Sequence, residues 1–119
     1  MLMSIRERAY SFGLKIIIYC RKMPTDKVSG AICSQLVRSG TSIGANLEEA
    51  KDAMSRADFI KSTIIALKEA RETFYWLRII RDVESTTQND LAGLIQESEE
   101  LVKILVKTVK TTKEKIRNS

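Results

Sequence analysis

The chain has 119 residues, which is enough for one domain with a buried core. It is 44% hydrophobic and 29% charged, with one proline and 5 glycines, a balance that excludes disordered, collagen-like and turn-rich β architectures. It has a net charge of +5 and no histidine, so an anionic partner is favoured while the commonest general base and the commonest transition-metal ligand are missing.

The first helix is predicted over about 4–22. Ser4 and Glu7 form an S-x-x-E capping box. Ile5, Ala9, Phe12, Ile16, Tyr19 and Met23 recur at the spacing of one apolar helix face. Pro24 ends the helix, because proline disfavours helical geometry at the preceding residue. The opening residues lack the apolar run of a signal peptide, and Ile16 to Cys20 is too short to span a bilayer. Cys20 and Cys33 have neither zinc-site nor disulfide-framework spacing and suit small buried positions. These features predict a reduced, cytoplasmic protein with no membrane segment.

The second helix is predicted over about 26–54, capped by Thr25 or Asp26. Val28, Ile32, Leu36, Ile43, Leu47, Ala50 and Met54 share its inner face, with Ser39 filling a gap. Ser55 caps a third helix over about 56–83, with Asp58 completing S-x-x-D. Its inner face is read as Phe59, Thr63, Ala66, Ala70, Phe74 and Leu77. Thr87 and Asp90 then start a fourth helix over about 88–114, which carries Leu91, Leu94, Ile95, Leu101, Val102, Leu105, Val109 and Ile116. Beyond Thr111 this helix is expected to run out of apolar partners and fray. No segment alternates with period two. Four helices with short connections predict an all-α, antiparallel up-down-up-down four-helix bundle in a single domain, 1–119.

The charge surplus sits on the fourth helix. Lys103, Lys107, Lys110, Lys113, Lys115 and Arg117 face only Glu114 after residue 100, while residues 1–100 balance to zero. Such an end attracts nucleic-acid phosphates through counterion release. Lysine and arginine also complement the negative end of a helix dipole as a solvated terminus.

The second helix carries a polar stripe beside its apolar face: Gln35, Arg38, Ser42, Asn46 and Glu49, a band roughly 80° wide. On the other flank, Gly40 and Gly44 make a G-x-x-x-G pair, and each costs on the order of 1 kcal/mol against alanine, so close approach of another helix is expected there. The third helix offers a matching stripe of Ile65, Glu69, Glu72, Trp76 and Ile80. A hairpin centred near Ser55 sets Arg38 opposite Glu72, Asn46 opposite Ile65 and Glu49 opposite Lys61. The planar guanidinium suits a paired carboxylate, so an Arg38–Glu72 ion pair is predicted. Three uses of the stripe stay open: an intrachain network fixing helix register, a subunit interface, or a catalytic site. Di-iron bundles need Glu-x-x-His pairs that this chain lacks, and Arg38 opposes a magnesium site built from Glu49, Glu69 and Glu72. Tyr75 and Trp76 suit packing or interface anchoring better than base stacking.

The stretch SQLVRSGTSIGANLEEA, followed by SRADFIKSTIIALKEARETFYWLRII, resembles the bacterial four-helix-bundle proteins encoded in intervening sequences of 23S rRNA genes. The resemblance covers almost the whole chain. It is carried by Gln35, Arg38, Ser42, Asn46 and Glu49, and by Asp58, Phe59, Ala66, Glu69, Glu72, Tyr75, Trp76 and Leu77. Where many members read N-I-A-E-G, this chain has Asn46, Leu47, Glu48, Glu49 and Ala50. The resemblance implies a homo-oligomer, a pentameric ring of bundles. A more distant similarity, to the accessory protein of diversity-generating retroelements, implies a ring that works with a reverse transcriptase and nucleic acid. The expectation is a non-enzymatic bundle with no catalytic residue, metal or cofactor that binds RNA or DNA, ribosomal RNA above all, through its basic fourth helix. An oligomeric adaptor docking a protein partner such as a reverse transcriptase is the alternative.

Overall fold

The computed structural model describes residues 3–84 and 89–118. Four helices follow in order: α1 (Ile5–Arg21), α2 (Lys27–Lys51), α3 (Arg56–Glu84) and α4 (Asn89–Arg117). Among the described residues there is no strand. Each helix packs on its neighbours in sequence, and α1 closes the bundle against α4. The partners show the helix directions. Along α1, Arg6, Ala9 and Ile16 meet Glu48, Gly44 and Gly40 in turn on α2. On α4, Arg8 meets Glu97 and Lys22 meets Asp90, while Arg56 at the start of α3 meets the Lys115 carbonyl near the end of α4. Each of these pairs is therefore antiparallel.

The caps explain where the helices begin. Ser4 Oγ accepts from the Glu7 amide at 3.1 Å, and the Glu7 carboxylate accepts from the Ser4 amide at 3.2 Å, so the predicted capping box is complete. Asp26, rather than Thr25, caps α2 through the Ser29 amide at 2.9 Å. Its carboxyl lies below the usual range because the Ser29 amide and hydroxyl bond the charged form. Ser55 Oγ accepts from the Asp58 amide at 3.1 Å and starts α3. Thr87, the predicted start of the fourth helix, lies outside the described residues.

The core is built from the predicted faces, with instructive exceptions. Phe12, Ile16, Leu36, Ile43, Leu77, Leu101 and Leu105 are fully buried. Val28 and Met54, both placed on the inner face of the second helix, are instead exposed. They sit at its two ends, and Ser29 takes the buried place beside Val28. Met54 falls after the helix, which stops at Lys51 with Asp52 as its cap. On α3, Thr73 rather than Phe74 reaches the centre. Its hydroxyl lies 2.9 Å from Ser39 Oγ and 2.8 Å from the Glu69 carbonyl, so two buried hydroxyls satisfy one another across α2 and α3. The fourth helix does not end early. It remains helical to Arg117, although burial stops at Val109 and Ile116 is exposed.

The glycine flank packs as its cost requires, and within the chain. A Cβ built on Gly40 would lie 3.1 Å from Cγ1 of the fully buried Ile16, and one on Gly44 would lie 3.6 Å from the Ala9 carbonyl carbon. Gly13 on α1 faces the Gly40 carbonyl and Thr41 at 3.7 Å. Three glycines thus bring α1 and α2 together along one seam. None of the helices is long and apolar enough to cross a membrane.

Candidate nucleic-acid interface

α4 positions the basic side chains. At about 100° per residue, Lys103, Lys107, Lys110 and Arg117 share a band roughly 80° wide, opposite the buried residues Leu94, Leu101 and Leu105. Lys113 stands at the edge of that band. Lys115 lies on another side of the helix, some 140° from Lys110, so the structure does not bring it to the rest. All six are exposed. Lys103 spends part of its charge on Glu99, one turn back at 4.0 Å. Among the described residues, no carboxylate lies within ion-pair distance of Lys107, Lys110, Lys113, Lys115 or Arg117.

The basic band borders a trough between α3 and α4 of about 400 Å³. Lys110, Lys113 and Arg117 of α4 and Arg71 of α3 all line it. Leu67, Val106 and Val109 supply apolar lining, and Glu114 is the one acidic residue of the lining. Sequence reasoning missed Arg71. The register of α3 on α4 would have found it, but that register needs a fixed point such as Arg56 against Lys115, at 3.4 Å.

The stripe on α2 divides. Arg38 meets Glu72, as predicted, and also Glu69 at 3.1 Å. Gln35 Oε1 accepts from the same guanidinium at 3.3 Å, and Trp76 Nε1 donates to Glu72 at 3.1 Å. These five residues form one network joining α2 to α3 within the chain. The lower half takes no part in it. Ser42 Oγ donates to the Arg38 carbonyl at 2.6 Å, Asn46 Nδ2 donates to the Ser42 carbonyl at 2.8 Å, and Glu49 is exposed. With Glu69 and Glu72 both engaged by a guanidinium, the cluster works as a clasp and offers poor ligands to a cation. Trp76 packs against the core, while Tyr75 meets its ring edge-on at 5.2 Å and stays half exposed.

Both thiols are free and half buried. Burial, reinforced by a hydrogen bond with Cys33, pushes the Cys20 thiol up to about 12, so it is neutral at physiological pH and a poor nucleophile.

Residues 2–107 match the family described as 23S rRNA-intervening sequence protein. The chain belongs to that family. The match ends at Lys107, so Lys110, Lys113, Lys115 and Arg117 lie past the stretch that family members share, while Arg71, Leu67 and Val106 lie within it. Among solved structures, the chain is similar to a protein of unknown function from the S23 ribosomal protein family of Bacteroides thetaiotaomicron. The two are 36% identical with a TM-score of 0.82, over 90% of this chain and 99% of that one. No curated protein matches the chain.

Proposed function

We propose that this family member is a non-enzymatic helical bundle that binds RNA through the basic half of α4, with ribosomal RNA as its ligand. The observation that carries the reading is the run of exposed cations from Lys107 to Arg117, interrupted by Glu114 and joined by Arg71 from α3, with no carboxylate within ion-pair distance of them among the described residues. A helix face of this kind neutralises phosphates and reads little base sequence, because it presents point charges without a base-reading motif. The description of the family by a ribosomal RNA insertion agrees with that chemistry.

The test is fluorescence anisotropy with a structured 23S rRNA fragment, titrated at several salt concentrations. Replacing Lys110, Lys113 and Arg117 together by glutamine should weaken binding at least about tenfold. It should also flatten the slope of log affinity against log salt by about 2 to 3, since each lost phosphate contact removes about 0.7 to 0.9. An unchanged affinity removes the reading.

Self-association belongs to the same proposal, as a ring of copies. Its support is α1, which is apolar on two sides. Beneath it lies the core, and outward lie Tyr10, Leu14 and Ile18, all exposed. A row of exposed apolar side chains, here flanked by Arg6, Glu7 and Arg21, marks a contact surface. Tyr10 and Leu14 border an open groove of about 310 Å³ against α2, floored by Ala9, Gly13 and Gly44, with Arg6 and Glu48 also in its lining. Several copies would gather their basic ends and raise avidity for one RNA. Mass measurement in solution tests this, with Leu14→Glu expected to reduce the assembly to single chains. A wild-type protein that is already a single chain at micromolar concentration overturns it.

A further inference from the structure

The trough between α3 and α4 combines two kinds of surface that a simple charged helix lacks. Its cations, Arg71, Lys110, Lys113 and Arg117, come from two helices and border one depression. Its apolar lining, Leu67, Val106 and Val109, grades from half exposed at Val106 to nearly buried at Val109. A paired duplex presents phosphates and grooves but keeps the flat faces of its bases stacked inside. It would satisfy the cations and leave the aliphatic lining against water. An unpaired strand can do both, because its bases are free to turn away from the backbone and pack against protein. The lysine band beyond the trough extends the track. Lys103 to Arg117 spans fourteen residue steps, about 21 Å of helix, in a line that one backbone could follow.

We propose that this trough is a site for single-stranded RNA, with phosphates on Arg71, Lys110 and Arg117 and unpaired bases on Leu67, Val106 and Val109. The inference rests on the RNA-binding reading above and narrows it from RNA in general to unpaired nucleotides. Two features set the expected behaviour. The lining is aliphatic, so it takes any base and selects for strandedness rather than sequence. Glu114 stands in the same lining and repels the backbone locally, so phosphates settle on the cations that surround it.

The test uses the whole protein, a labelled twelve-nucleotide oligouridylate, and the same oligonucleotide annealed to its complement. Both are titrated at one salt concentration. Val106→Asn is the diagnostic variant. Val106 is already 40% exposed, so the change removes apolar contact without altering charge or a core position. The expected result is about tenfold tighter binding of the single strand than of the duplex. Val106→Asn should weaken the single strand about fivefold, the scale of one or two buried methyl groups, and leave the duplex unchanged. Equal binding of both RNAs, indifferent to Val106→Asn, overturns the trough assignment while leaving RNA binding intact. Failure of both RNAs to bind overturns the two proposals together. A designed acidic amphipathic peptide that binds with the same dependence on Val106, where RNA does not, also overturns the assignment and gives the trough to a protein helix.

Discussion

Gly40 and Gly44 look alike in sequence, yet alanine should act on them with opposite sign. Either substitution gains about 1 kcal/mol of helix propensity. At Gly44 the new methyl would meet its nearest atoms at 3.6 Å, an ordinary contact, so the gain is kept. At Gly40 it would lie 3.1 and 3.2 Å from the two γ-carbons of Ile16. Ile16 cannot swing away, since it is fully buried and its β-branch restricts rotation. α1 must therefore move off α2 by a few tenths of an ångström, which loosens the contacts at Gly13 and Gly44 as well. Overpacking of this kind costs about 1 to 3 kcal/mol, so Gly40→Ala should lose about 1 kcal/mol net. Gly44→Ala should gain up to about 1, as should Gly30→Ala and Gly93→Ala, where a methyl meets open space. Urea denaturation followed by far-UV circular dichroism, at one fixed protein concentration, reads all four variants. A stabilised Gly40→Ala would refute the steric reasoning, because Ile16 would then have room that the seam does not show.

Arg38→Ala should leave helicity intact and lower the urea midpoint by the equivalent of about 1 kcal/mol, the scale for a partly exposed ion-pair network. Arg38→Lys should recover less than half of that loss, because an ammonium cannot span two carboxylates and the Gln35 carbonyl in one plane. Ser4→Ala should cost about 1 kcal/mol and speed amide exchange in the first turn of α1, with the rest of the bundle unaffected. Stability should fall as pH rises above 9. There the unfolded Cys20 thiol ionises while the folded one, near 12, keeps its proton, so the unfolded chain gains. Tyr19, also raised by burial, deepens the fall above pH 10. Cys20→Ala should shrink the decline in thermal midpoint between pH 8 and 10.

What could be read from the sequence followed from short-range signals. The capping box at Ser4 and the Ser55 start of α3 are local, and Ser55 also fixes the hairpin centre that puts Arg38 against Glu72. The same centre set Asn46 opposite Ile65, but an asparagine amide can bond its own helix one turn back, and it does so on Ser42. Val28 and Met54 fit the heptad arithmetic, yet a periodic pattern cannot tell where neighbouring helices stop. Thr73 rather than Phe74 reaches the centre because it continues the face of Ala66, Ala70, Leu77 and Ile80, where its hydroxyl meets Ser39. Arg71 escaped notice for the same reason as the Ile16 contact at Gly40: both depend on the register of helices whose connection carries no such marker. The glycine pair announced a close approach without naming its partner.

The bundle is a rod, 52 Å long and 25 Å across at its widest. Its lysine-rich stretch is confined to the end where α4 finishes beside the start of α3. The opposite end, where Lys22 meets Asp90, carries both signs. The field of a polyanion would therefore turn the molecule before contact, with the basic half of α4 leading. A strand following Lys103 to Arg117, as proposed, would cover about 21 Å of the rod's flank and leave the mixed-charge tip, about 3 nm further on, as a handle projecting into solvent.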